Sequence, residues 1–161
     1  MKTISELKEE SNGQTRFLFH IGYHDGPLTG IMLFNGEKVY FSHEDDVYEK
    51  ITFTEEEIQE IKEKYKELGL GEPEDDDIDD YNFHRYFKIY RLPEEILNDI
   101  EYEHSLFEKY VGTHTNYYYG NTCELKTTRT QDEWKKFYDR TDKKNTNIDV
   151  SKLECIGEFE L

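Results

Sequence analysis

The sequence predicts a single α+β domain over residues 1–161, in which an antiparallel sheet begun by an N-terminal β-meander packs against two main helices. Three strand patterns follow one another within residues 16–42 and are separated by turn signals. Two longer segments, 54–68 and 93–112, repeat apolar residues at helical spacing. The length of 161 residues fits one domain of ordinary size.

The meander has the clearest pattern in the chain. Residues 16–24 alternate as a strand does, and Asp25-Gly26-Pro27 then forms a turn signal. Residues 28–34 and 37–42 are predicted to be the second and third strands. The Asn35-Gly36 pair between them favours a type I′ hairpin turn, because that turn requires positive φ at both central positions.

Two helices are predicted to follow, each preceded by a short strand, near 47–53 and at 81–91. The first begins after Thr54, with Glu57 three residues later, which is the pattern of a capping box. The second starts at Pro93, a residue that suits the first turn of a helix, and ends at Gly112. A short helix near 130–140 and a last strand at 153–160 complete the expected elements.

The negative charge of the chain is concentrated in one segment. The formal net charge is −17, from 37 acidic and 20 basic residues, and residues 42–80 alone hold 17 acidic and 4 basic residues. A focused charge can act as a binding surface, whereas a diffuse charge mainly confers solubility. Strong acidity also disfavours direct binding to nucleic acid or to anionic lipid.

The chain is predicted to be cytoplasmic. Its start, MKTISELKEESNG, lacks the apolar run of a secretory signal, and no apolar stretch is long enough to span a membrane. Its two cysteines, Cys123 and Cys155, are far apart and form no paired motif, so free thiols are expected.

Residues 71–80, GEPEDDDIDD, are predicted to form an acidic flexible loop, because like charges repel and little can be buried there. No lysine interrupts this block, whereas lysines interleave with the glutamates of the first helix. Its D-x-D-x-D opening is not an EF-hand, since Asp80 and Tyr86 stand where that loop needs Gly and Glu. The predicted partner-binding acids are Glu72, Glu74, Asp75, Asp76, Asp77, Asp79 and Asp80.

A second candidate contact region is the tyrosine run Tyr117, Tyr118 and Tyr119. Tyrosine offers rigid contact area together with a hydroxyl group, and it is enriched at protein interfaces. The alternative is that two of these tyrosines belong to the core and one is exposed to solvent.

Histidines raise the alternative of a metal site. The candidate ligands are His20, His24, Asp25 and His43, which would serve a metal-assisted hydrolase if the first and third strands paired suitably. His20 and His24 lie about 13 Å apart along a strand, at ~3.3 Å per residue, so one metal cannot bind both directly. No nucleophile motif, P-loop or G-x-G-x-x-G is present, and no cofactor is predicted.

The run DGPLTGIMLFNGEKVYF at 25–41, together with FEKYVGTHT at 107–115, resembles small uncharacterised bacterial proteins with a D-G-P-L-x-G hairpin. This resemblance covers only part of the chain and implies no activity or functional residues. In size and acidity the chain also resembles bacterial toxin-immunity proteins as a class.

The sequence therefore favours a non-enzymatic acidic interaction protein that binds a basic protein partner, as an immunity protein or another inhibitor does. Electrostatic steering would speed the encounter, and aromatic anchors would hold the complex. Two alternatives remain open, a metal-assisted hydrolase with a His/Asp site and a nucleic-acid mimic. The oligomeric state is left open.

Overall fold

The computed structural model describes residues 1–23, 26–73, 78, 80–112, 114–119 and 122–161. For Tyr23 and residues 114–119 and 122–126 it describes the backbone alone. The chain divides into two compact units, one formed by residues 1–91 with 154–161 and the other by residues 92–153.

The described elements include four α-helices and seven strands. In chain order they are α1 (Ile4–Glu10), β1 (Arg16–Tyr23), β2 (Pro27–Phe34), β3 (Glu37–Lys50), α2 (Glu55–Glu67), β4 (Tyr81–Arg91), α3 (Glu94–Tyr110), β5 (His114–Tyr119), β6 (Thr122–Thr127), α4 (Gln131–Tyr138), a 3₁₀ turn (Val150–Lys152) and β7 (Glu154–Glu160).

The first unit is built on a five-stranded sheet in the order β1-β2-β3-β4-β7, with every neighbouring pair antiparallel. The predicted α+β class, with an antiparallel sheet begun by an N-terminal meander, is confirmed. Asn35 and Gly36 both have positive φ, 52° and 85°, as the type I′ turn requires.

One face of this sheet carries the apolar core. Its buried cluster is Met32, Val39, Phe41, Phe87, Ile89 and Phe159. Phe87 and Phe159 stack with their ring centroids 4.8 Å apart. Ile4 and Leu7 of α1 pack against the cluster. Helix α1 was not predicted, although Thr3 and Glu6 form a capping box that is visible in the sequence.

Strand β3 is longer than the sequence indicated. Two separate strands were expected at 37–42 and near 47–53, but the structure has one strand that pairs with β4 as far as Lys50. The pairing with β4 shifts register between His43 and Asp45 and then continues beyond this irregularity. The predicted helix after Thr54 is present as α2, with its capping box.

Strand β1 does not alternate strictly. Its pairing with β2 shifts register between Phe17 and Phe19 and again after His20. As a result the ring of His20 lies 5.4 Å from that of Phe17, on the same face, whereas strict alternation predicted opposite faces.

The second unit contains α3, the β5–β6 hairpin and α4. Helix α3 begins one residue after Pro93, close to its predicted start, whereas the hairpin was not predicted. Phe107 of α3 meets Phe137 of α4 edge to face, with their centroids 5.5 Å apart. Glu103 pairs with Arg140 and accepts a hydrogen bond from the backbone N–H of Lys144.

Over the part of the chain that is described, the helices are too short or too polar to cross a lipid bilayer.

Candidate functional site

Strands β3 and β4 extend beyond their neighbours in the sheet. The pairing of β2 with β3 stops at Ser42. Strands β3 and β4 stay paired with each other as far as Lys50 and Tyr81. We call residues 46–50 and 81–85 the ribbon. At its far end the backbone N–H of Ile51 donates to the carbonyl of Asp80 over 2.8 Å.

The connection between the two strands of the ribbon, residues 51–80, carries most of the charge imbalance. We call it the acidic insertion; it holds 13 acidic and 3 basic residues, a net charge of −10 out of −17. It includes α2, in which no residue is buried. Glu72 and Asp80 are exposed. The other predicted acids, Glu74, Asp75, Asp76, Asp77 and Asp79, lie outside the described residues.

The base of the ribbon is fixed by an ion pair. Asp46 Oδ1 lies 2.8 Å from Nε2 of His43 and accepts a hydrogen bond from Nε of Arg85 over 3.0 Å. Arg85 is 7% exposed and also exchanges backbone hydrogen bonds with Leu161 of the β7 end. The hydrogen bond from Arg85 lowers the pKa of Asp46, since it favours the ionised carboxylate.

One face of the ribbon is aromatic. Tyr48 and Phe83 are direct partners across the strands, with their ring centroids 5.0 Å apart. Tyr81 lies two residues before Phe83 on the same strand and therefore on the same face. All three side chains are exposed, and Tyr48 is 64% exposed. We call Tyr48, Tyr81 and Phe83 the aromatic face.

On the opposite face of the ribbon, His84 lies near two carboxylates. His84 lies there with Nδ1 2.5 Å from Glu160 and Nε2 3.8 Å from Glu49. The ring of Tyr86 is stacked near that of His84 at 6.4 Å. Burial raises the pKa of the Tyr86 phenol, and the charges of Glu160, Glu49 and Asp45 raise it further.

Exposed apolar side chains are concentrated in this same region. Eleven large apolar side chains are exposed among the described residues, and five of them lie between residues 48 and 83. They are Tyr48, Leu68, Leu70, Tyr81 and Phe83. The ribbon and the acidic insertion thus combine negative charge with open apolar area.

The predicted metal ligands do not form a site within the described residues. Strand β2 separates β1 from β3: His20 pairs with Gly30, and Gly30 pairs with Phe41. His43 instead contacts Asp46. His24 and Asp25 are outside the described residues. Among the residues that are described, no three His, Cys, Asp or Glu side chains are placed to share a metal ion.

The predicted tyrosine contacts belong to the second unit. Tyr117, Tyr118 and Tyr119 lie in β5, which pairs with β6 in a separate two-stranded sheet. Their side chains are outside the part of the structure that is described. Their role as partner contacts therefore stays a prediction.

The aromatic face was missed at the level of sequence. Tyr48 falls within a predicted strand, and Tyr81 and Phe83 fall within another. The sequence does not show the register that places Tyr48 opposite Phe83, because pairing between strands that are far apart in the chain leaves no local signal.

Comparison with known proteins gave no match. No family model matches the chain, and no curated protein and no solved structure matches it either. What the ribbon and the acidic insertion do is therefore inferred from their own chemistry.

Proposed function

We propose that this chain is a non-enzymatic interaction protein that binds a basic protein partner through residues 44–80, as an immunity protein or another inhibitor does. The observation that supports the proposal is the coincidence of charge and exposed apolar area between residues 48 and 83. Charge alone keeps a protein soluble, and scattered exposed apolar residues are common. A surface that has both is typical of a docking site with desolvated anchors and a charged rim.

The mechanism divides between the two parts of this surface. The acidic insertion attracts the basic partner over distances of about a Debye length, ~10 Å at 0.1 M salt, and raises the rate of encounter. The aromatic face then supplies contact area that excludes water and slows dissociation. Neither part requires a cofactor or a chemical step.

A cytoplasmic location is part of the proposal. Cys155 is a free and exposed thiol, which is the state that a reducing compartment maintains.

The test measures how the association rate with an isolated binding partner depends on salt. The partner is first isolated on the immobilised protein, and association is then followed by surface plasmon resonance from low to high ionic strength. We expect the association rate to fall steeply as salt screens the charges, while the dissociation rate changes little.

Two triple variants serve as a matched pair. The first, Glu56→Gln, Glu60→Gln and Glu67→Gln, removes three exposed charges from α2. The second removes three exposed charges elsewhere, as Glu9→Gln, Glu94→Gln and Glu95→Gln. The α2 variant should associate several-fold more slowly than the control variant at low salt. Equal rates for the two variants, or a rate that is flat with salt, would contradict the proposal.

A further inference from the structure

The centre of the aromatic face is the ring of Tyr48. It lies directly opposite Phe83, and at 64% it is the most exposed of the three aromatic side chains on this face. Two adjacent exposed rings present a π surface whose negative potential attracts cations. The ribbon thus holds an open cation acceptor next to an insertion of net charge −10.

One guanidinium group of the protein already contacts a ring of the aromatic face. The guanidinium carbon of Arg85 lies 5.2 Å from the centroid of Phe83, within the range of a cation–π contact. Arg85 is held there by Asp46. Because Arg85 already covers part of Phe83, and Tyr48 is more exposed than Tyr81, Tyr48 is the most accessible ring for an incoming cation.

We propose that Tyr48, supported by Phe83, receives an arginine side chain of the basic partner, with the guanidinium group stacked on the Tyr48 ring. This inference rests on the proposed function and names the chemistry of its anchor. Guanidinium is planar and weakly hydrated, so it stacks on aromatic rings at a lower desolvation cost than the strongly hydrated ammonium of lysine. A second copy of the chain is a poor occupant, because its net charge of −17 repels the first.

The probes are three capped decapeptides of alternating glycine with arginine, lysine or citrulline. Citrulline keeps the planar shape of arginine but carries no charge. Binding to the full chain is measured by isothermal titration calorimetry at low salt, and contacts are mapped by amide chemical shifts in NMR spectra. We expect the arginine peptide to bind about threefold or more tightly than the lysine peptide, and the citrulline peptide not to bind.

Substitutions at Tyr48 then identify the acceptor. Tyr48→Leu keeps apolar bulk but removes the ring, so it should weaken the arginine peptide about fivefold and abolish its advantage over lysine. Tyr48→Phe keeps the ring, so it should retain both the affinity for the arginine peptide and the preference for arginine over lysine. Tyr102→Leu removes a tyrosine of α3 that is 45% exposed, and it should have no effect.

Two outcomes separate this inference from the function on which it rests. If both cationic peptides bind with equal affinity, or if the arginine preference survives Tyr48→Leu, the stacking proposal is overturned while salt-dependent docking stands. If neither cationic peptide binds at low salt, the proposed function is overturned together with it.

Discussion

A single carboxylate oxygen, Oδ1 of Asp46, lies 2.8 Å from Nε2 of His43 and 3.0 Å from Nε of Arg85. His43 contacts the core ring Phe87, and Arg85 contacts the aromatic face through Phe83. Asp46 therefore links the apolar core to the projecting ribbon. This link holds the base of the ribbon together with the contact of His84 with Glu160, since neither β2 nor β7 pairs with residues 47–50 or 81–84.

This link predicts that two arginines of the same strand differ in their effect on stability. Arg85→Met leaves Asp46 without its buried partner, and we expect it to lower the free energy of unfolding by about 2–3 kcal/mol. Arg91→Met removes a guanidinium group that is 48% exposed, and its effect on the free energy of unfolding should be much smaller than that of Arg85→Met. Urea unfolding of both variants measures the difference. Equal losses would show that Arg85 does not hold the ribbon.

Tyr90 predicts a loss of stability at alkaline pH. Burial, followed by the hydrogen bond that its hydroxyl donates to Glu44 over 3.0 Å, raises the pKa of Tyr90 from 10.0 to about 12. Because the folded state holds this proton more tightly than the unfolded state, the associated stability is present below pH 10 and is lost as pH rises towards about 12.

The measurement is urea unfolding of the wild type and of Tyr90→Phe from pH 9 to pH 12. Phenylalanine cannot ionise, so the variant should lose less stability across the interval from pH 10 to about 12. Identical pH profiles for the two proteins would rule out a buried, hydrogen-bonded phenol at this position.

At Gly30, the addition of a single methyl group is expected to destabilise the fold. A Cβ atom at this position would lie 2.3 Å from the carbonyl oxygen of Phe19 and 2.8 Å from the ring of Phe41. Gly30→Ala should therefore push β1 away from β2 and lower the free energy of unfolding by about 2 kcal/mol or more. Gly157→Ala is the control, because its nearest neighbours are side-chain atoms of Phe34 and Ile89 at 3.2 and 3.3 Å. A thermal melt in which the control loses as much as Gly30→Ala would contradict the close approach of the strands.

Replacement of the acidic insertion separates folding from binding. Ile51 and Asp80 are already joined by a backbone hydrogen bond, so residues 52–79 can be exchanged for an Asn-Gly turn. The sheet should keep its circular dichroism spectrum and cooperative unfolding, since no residue of α2 is buried. Binding to cationic peptides should fall steeply, because 12 acidic residues have been removed. If the shortened chain does not fold, the insertion is needed for the structure. If the shortened chain folds and binds cationic peptides as tightly as the full chain, the insertion is not the binding surface.

Local signals predicted most of the elements in the first unit. Asn35-Gly36 set the hairpin turn, and Thr54 with Glu57 set the start of α2, because both depend on neighbouring residues alone. Thr3 and Glu6 form the same kind of capping box at the start of α1, so that helix too begins at a signal that neighbouring residues provide. The bulges in β1 and β3 could not be foreseen, since they depend on which strand lies alongside.

The sequence predicted the negative charge of the candidate site but not its aromatic face. Concentration of acids in residues 42–80 can be counted from the sequence. The contact of Tyr48 with Phe83 joins residues on either side of the insertion, and only the pairing register of β3 with β4 creates it. For the same reason the contact of Asp46 with Arg85, 39 residues apart, could not be derived.

The position of β7 has a consequence for how the chain folds during synthesis. Phe159 stacks on Phe87 and contacts Phe17, so the core of the first unit lacks a central ring until the ribosome has passed residue 159. Residues 92–153 form the second unit and are made before β7. The second unit can therefore fold before the sheet of the first unit is complete. Until β7 has been made, the apolar face of the meander stays accessible to chaperones.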